Sequence, residues 1–258
     1  FFFFLSLFLF GLGNISRGQT NPTAQSLPYS QDFSSLEYTS TTYPSGWQGW
    51  KISTNTGANF STAAATGDQV LTASGTASST AGNVYNYNGK IGFLNSGLLD
   101  LTIALAINTS GINNVQVQYD IMTIRNPYDG STNTRINEVT LQYRVGTSGA
   151  FTTLSGIEYQ NNTTSQTSGT TPQNSQTKTI TLPSACNNQS VVQLRWASRQ
   201  VSGGGSRPSF AVDNIVINYT PPHNKSVEYN IFKCNFYFND GGVDKWEWCK
   251  KNCENKYK

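Results

Sequence analysis

Alternation with a period of two constrains this chain more than any other feature of its sequence. Val115, Val117, Tyr119 and Ile121 alternate with Gln116, Gln118 and Asp120. Val139, Leu141, Tyr143 and Val145 alternate with Glu138, Thr140, Gln142 and Arg144. Val192, Leu194 and Trp196 alternate with Gln193, Arg195 and Ala197. Successive side chains of a strand point to opposite faces, so each run predicts a strand with one buried and one wet face. Shorter candidates are Trp47–Ser53, Lys90–Leu94, Leu98–Ile107, Phe151–Leu154, Lys178–Leu182 and Ser209–Tyr219. No stretch of ten residues carries helical spacing. Many short strands joined by polar loops predict an all-β fold, two antiparallel sheets packed face to face as a β-sandwich of jelly-roll type.

Composition agrees. Only 12% of the 258 residues are charged, and Ser, Thr, Asn, Gln and Gly dominate, which suits strands and turns and suits helices poorly. The net charge is +3, with no clustered basic stripe, so nucleic acid is not the indicated direct ligand.

The two ends differ from the body. Phe1–Leu12 is an apolar run of the length of a signal-peptide core and too short to span a membrane, which predicts an exported chain with residues 1–18 as an incomplete signal peptide. No membrane span is expected in the mature chain, and the expected location is extracellular or at the cell surface. The sandwich is expected over residues 19–220. Beyond His223 the lysines rise to seven with no arginine, threonine disappears, and Cys234, Cys249 and Cys253 follow in a spacing that matches no zinc pattern. Residues 221–258 therefore read as a linker and an atypical tail rich in Lys, aromatics and Cys, either disordered or not native sequence.

Catalytic chemistry is poorly provided for. The single histidine, His223, sits at the Pro-Pro-His-Asn junction, which excludes Ser-His-Asp and Cys-His arrangements. The acids of the body are few, and none forms an i, i+2, i+4 series on one strand. A glycosidase or lyase using Glu138 or Asp120 is the weakest of three readings. A non-catalytic recognition or adhesion module leads, and an accessory domain at the front of a truncated extracellular nuclease or hydrolase comes second.

In Ser209–Tyr219 the apolar parity of Phe210 and Val212 passes to Ile215, Ile217 and Tyr219, a slip that predicts a β-bulge at Asp213-Asn214. An Asp inside such an apolar run needs a partner, and calcium is the economical one outside the cell. Tyr29-Ser30-Gln31-Asp32-Phe33, then Tyr43-Pro44-Ser45-Gly46-Trp47, and finally Ser209-Phe210-Ala211-Val212-Asp213-Asn214-Ile215 together resemble the opening and closing motifs of the MAM-like and cleaved-adhesin jelly-roll modules of secreted bacterial proteins. The resemblance covers roughly Leu27 to Tyr219. It implies first and last strands side by side and a structural calcium carried by Asp32 and Asp213, with Asn214 standing where a second Asp is common.

For ligand binding, exposed rings are the platforms on which sandwich modules stack sugars, and Trp50, Tyr85, Tyr87 and Tyr128 are the candidates. Arg125, Arg135, Arg199 and Arg207 flank the long loops 126–134 and 202–208 and are expected to line one end of the sandwich, facing acidic sugars or a protein partner. The run Ser202-Gly203-Gly204-Gly205-Ser206 precedes a strand, not a helix, and reads as a flexible hairpin connection rather than a phosphate loop. A polysaccharide or a surface glycan or protein is the expected partner.

Overall fold

The computed structural model describes residues 19–53 and 57–221; the apolar N-terminal run, His223 and the three tail cysteines lie outside them. The chain divides into two compact units, Phe1–Tyr219 and Thr220–Lys258, and all but two of the described residues belong to the first.

Fifteen strands are described. In chain order they are β1 (Gln25–Ser26), β2 (Tyr29–Gln31), β3 (Trp47–Ser53), β4 (Gly67–Gln69), β5 (Leu71–Thr72), β6 (Asn83–Asn86), β7 (Ile91–Leu94) and β8 (Asp100–Asn108). They continue with β9 (Val115–Thr123), β10 (Ile136–Val145), β11 (Thr152–Thr153), β12 (Tyr159–Gln160), β13 (Gln173–Thr181), β14 (Val192–Ser202) and β15 (Ser209–Tyr219). One sheet runs β11-β10-β14-β8-β3-β4, with β1 and β12 added to β8 and β10; the other runs β13-β9-β15-β7-β6-β5, with β2 added to β15. All pairings are antiparallel except β1 with β8 and β5 with β6. The expected jelly-roll sandwich is the fold.

The alternating residues meet between the sheets. Leu101, Ile103, Leu105 and Ile107 of β8 and Leu194 and Trp196 of β14 pack against Val117, Tyr119 and Ile121 of β9 and against Ile215 and Ile217 of β15 in one core. At its centre Trp196 stacks on Trp47, 5.6 Å between ring centroids, and receives Tyr119 from the opposite sheet edge-on at 5.3 Å. The parity slip in β15 is a bulge: its register against β9 shifts between Asp213 and Val216, and Asn214 holds a left-handed φ of 48°. An Asn tolerates that conformation better than a branched residue does. β2 lies beside β15, with Gln31 opposite Ile215, so an early strand and the last one are neighbours.

One face departs from the sequence reading. The expected wet side of β10 and β14 is buried: Thr140, Gln142, Gln193 and Arg195 are fully enclosed and Arg144 is 3% exposed. Residues 57–66 and Phe151 cover them. Arg195 donates from Nη2 to the Ser61 carbonyl and from Nη1 to the Ala63 carbonyl, both at 2.9 Å. Its Nε donates to Gln142 Oε1 at 2.7 Å, and its guanidinium lies 3.8 Å from the centre of the Phe151 ring. Arg144 covers the same ring at 4.5 Å and donates to Gln193 Oε1 and the Gly149 carbonyl. Guanidinium is weakly hydrated, stacks on rings and forks to carbonyls, so arginine can be enclosed where lysine could not. Burial pushes both side chains down, Arg144 to about 10 and Arg195 to about 9, and both stay cationic at neutral pH.

Candidate functional site

At one end of the sandwich a cavity of about 510 Å³ opens between loops, a size that suits a small ligand or part of a polymer. Its walls come from Thr80, the β7–β8 connection 94–97, Arg125, the loop residues Thr132 and Asn133, and Gly205, Ser206 and Arg207. Among the described residues, two guanidiniums line it and no carboxylate does.

Each wall is held from behind. Asp129 fixes the 126–134 loop by accepting from the backbone N–H groups of Ser131 and Asn133, from the Ser131 hydroxyl and from the Asn133 amide. These bonds hold its carboxyl well below the usual carboxylate range. Asn133 thereby presents Oδ1 to the backbone N–H of Ser206, and the Thr134 N–H donates to the Gly204 carbonyl. Arg135 donates from Nε to the Gly205 carbonyl and from Nη1 to Gln200.

The glycine run is therefore a pinned wall, not a loose connection. Gly203 and Gly205 take φ of 70° and 86°, and a Cβ on Gly203 would sit 1.9 Å from the Thr134 carbonyl oxygen. Only glycine permits that approach. Arg125 is placed where β9 ends. Its carbonyl accepts from the Ser209 backbone N–H, its own N–H donates to Ser209 Oγ, and its Nη1 donates to the Ala77 carbonyl at 2.8 Å. Partial burial pushes its guanidinium down. In Arg207 the Nε is buried without a hydrogen-bond partner among the described residues. Arg135 stands near enough to Arg207 to feel its charge.

Of the four arginines expected at this end, Arg125 and Arg207 line the cavity and Arg135 braces its wall. Arg199 is elsewhere. It pairs with Glu138, Nη2 to Oε2 at 2.7 Å, and lies over the Phe60 ring on the covered face of the sheet.

The rings expected to stack on sugars are mostly unavailable. Trp50 is fully buried, with Nε1 donating to the Thr20 carbonyl and its ring edge-on to Phe151. Tyr87 is fully buried and Tyr85 nearly so, packed on each other in a second apolar cluster with Met122 and Ile124. Of their polar neighbours in sequence, Asn86 is buried with them, Gln48 and Lys51 are half-buried and Asn88 is exposed, so the neighbours' polarity does not report where the rings lie. Tyr128 is half-buried in the 126–134 loop and does not line the cavity. Asn95, Ser96, Thr80, Asn133 and Ser206 line it instead; the last two sit in loops that their length alone marked for function, whereas the first three gave no signal in the sequence.

Glu138 and Asp120 do not make a catalytic pair. Glu138 belongs to β10 and Asp120 to β9, each on the outward side of a different sheet.

Asp32, Asp213 and Asn214 lie near one another on the outer side of the β15 sheet, together with Asp120, Lys90 and Thr177. Asp120 accepts from Thr177 Oγ1 and Asn214 Nδ2; Asp32 Oδ1 accepts from the Ser34 backbone and hydroxyl; Asp213 Oδ1 accepts from the Asn214 N–H. Among the described residues no three His, Cys, Asp or Glu side chains group closely enough to hold a metal ion. Burial is the main cause that raises the Asp213 carboxyl to about 6, with Asp120 and Asp32 adding to it against Lys90.

A carboxyl raised from 3.8 to about 6 binds a proton more tightly in the folded state. Its stabilising contribution is present below the unfolded value and is lost as pH rises through about 6. Asp213→Asn is expected to be more stable than the parent above that pH by about 1 kcal/mol, discounted for partial solvent exposure, and to match it near pH 4. Urea titrations at both pH values measure the difference, and equal gains at both would refute the assignment.

No family model and no curated protein matches the chain. Among solved structures, the K2 cleaved adhesin domain of Lys-gingipain superposes over 75% of this chain and 99% of that one, with 13% identity and a TM-score of 0.39. The CBM22-1 xylan-binding domain of Xyn10C from Paenibacillus barcinonensis superposes over 74% of this chain and 92% of that one, at 10% identity and a TM-score of 0.36. The xylan-binding module CBM15 gives 69%, 94%, 12% and 0.35 for the same four quantities. At these scores none of the three carries an argument about what this chain binds.

Proposed function

We infer that this domain is a non-catalytic extracellular recognition or adhesion module that holds a polysaccharide or a cell-surface ligand in the cavity at the end of the sandwich. The observation that carries the reading is the preformed cavity between the latched loops 126–134 and 202–208, lined by amides, hydroxyls and the guanidiniums of Arg125 and Arg207. Loops fixed in advance spare a ligand the entropy of ordering them, which is how a rigid scaffold gives affinity to polar contacts.

The test is affinity electrophoresis and calorimetry of the full chain against neutral and acidic polysaccharides. Binding to one of them, weakened about tenfold or more by either Arg125→Ala or Arg207→Ala, is expected, because each change removes charge-assisted hydrogen bonds. Binding that survives both changes would move the site elsewhere, and release of reducing sugar would replace recognition with catalysis.

Calcium held by Asp32 and Asp213 is a separate proposal. It predicts a melting temperature that rises with added calcium in the parent and not in Asp213→Ala. Melting that is indifferent to calcium and to chelator overturns it.

A further inference from the structure

The lining of the end cavity is one-sided in charge: Arg125 and Arg207 contribute guanidiniums and no Asp or Glu is among the lining residues. Resting on the recognition reading above, we propose that the ligand of this cavity is a carboxylate-bearing saccharide, such as a chain of uronic acid residues, and that Arg207 receives the carboxylate.

Four observations converge on this. First, Arg207 lines the cavity and its guanidinium donates no hydrogen bond among the described residues; its Nε is enclosed, so the two Nη nitrogens are the donors left for a ligand. Second, Asp129, the carboxylate of the 126–134 loop, accepts only from Ser131 and Asn133, and among the described residues neither Arg125 nor Arg207 forms an ion pair with any carboxylate. Third, Arg135 stands near Arg207 with Nε and Nη1 donating to Gly205 and Gln200, so it adds positive potential from the braced wall. Fourth, Arg125 is anchored by Nη1 on the Ala77 carbonyl and sits in a partly desolvated position.

A neutral sugar would bury two guanidiniums and leave both charges without a partner. A planar carboxylate matches the guanidinium fork with two parallel N–H donors, whereas a lysine in the same place would offer only a point charge. The hydroxyls and amides of Ser96, Asn133 and Ser206 then suit the ring hydroxyls of the sugar.

The experiment uses calorimetry on the full chain with polygalacturonate, alginate and hyaluronate, each beside its carboxyl-reduced neutral form, and with dextran sulfate. Binding to at least one polyuronate is expected, at least tenfold tighter than to its reduced form. Arg207→Lys, which keeps the charge and loses the fork, should weaken that binding about tenfold while melting like the parent. Arg207→Gln should do at least as much.

Equal affinity for a polyuronate and its reduced form overturns the carboxylate and leaves the recognition module standing. Dextran sulfate bound as tightly as any polyuronate, with Arg207→Lys unaffected, also overturns it, by showing unspecific polyanion adsorption. Binding to none of the polymers, neutral or acidic, overturns this proposal and the recognition reading together.

Discussion

Replacing Arg195 by alanine is expected to cost about 3–5 kcal/mol of folding stability, the range for breaking a buried charged network. The side chain is fully enclosed and is the hub of the covered face of the β10–β14 pair. Three acceptors lose their donor at once: the Ser61 carbonyl keeps only its longer bond from Gln142, at 3.1 Å, while the Ala63 carbonyl and Gln142 Oε1 are left open. The Phe151 ring loses the cation on its face. Against a typical domain stability of about 5–15 kcal/mol, a loss of this size is a large part of the whole.

Urea unfolding measures it. Limited proteolysis should show, in addition, cleavage within residues 57–66 that the parent resists, because those residues are fastened largely through their carbonyls. Arg199→Ala is the comparison: Arg199 is one-third exposed, but Glu138 is 7% exposed and would keep only its bond from Gln160, so a smaller loss of about 1–3 kcal/mol is expected. Equal losses for the two arginines would show that the enclosed network contributes nothing special.

Trp196→Ala should be as damaging, by about 3–5 kcal/mol, for a different reason. Its indole fills the middle of the interior, stacked on Trp47 within its own sheet and met edge-on by Tyr119 from the other. Truncation opens a cavity that neither sheet can close without breaking the register of β8, β9 and β14. The near-ultraviolet circular dichroism of the stacked indoles should collapse with it, while Trp50, which lies apart with Phe151, keeps its signal. A variant that retains the parent's near-ultraviolet spectrum would place the origin of that signal elsewhere.

The strands that face the interior were readable because burial on one side imposes a two-residue rhythm that nothing else produces. Val115–Ile121, Val139–Val145 and Val192–Trp196 all lie in strands, and the slip at Asp213 is a bulge. What alternation does not report is the outer face. Gln142, Arg144, Gln193 and Arg195 are polar letters in the sequence, and polar letters on alternate positions read as wet. Gln142 and Arg195 are dry because a segment 81 to 134 residues away in sequence supplies carbonyls to them, a long-range partner that has no local signature. The same blindness misplaced Trp50, Tyr85 and Tyr87, whose polar neighbours suggested exposure.

Short strands such as β4, β5 and β6 gave no rhythm long enough to recognise. The cavity was half legible. Loop length drew attention to 126–134 and 202–208, and the arginines flanking them gave the charge. Which arginine points where is a matter of β-register and of the Asp129 turn: Arg125 and Arg207 flank the ends of those loops and reach the cavity, and Arg199, on the covered side of β14, does not.

The fastening of residues 57–66 has an evolutionary corollary. Its acceptors are main-chain carbonyls, and every amino acid carries one. Ser61, Thr62 and Ala63 can drift among small residues without releasing the arginine that holds them, but Arg195 has no such freedom. Sequences descended from a common ancestor should thus keep an arginine at this position opposite a segment that shows no matching constancy, and statistics of paired substitutions would pass over one of the strongest attachments in the fold.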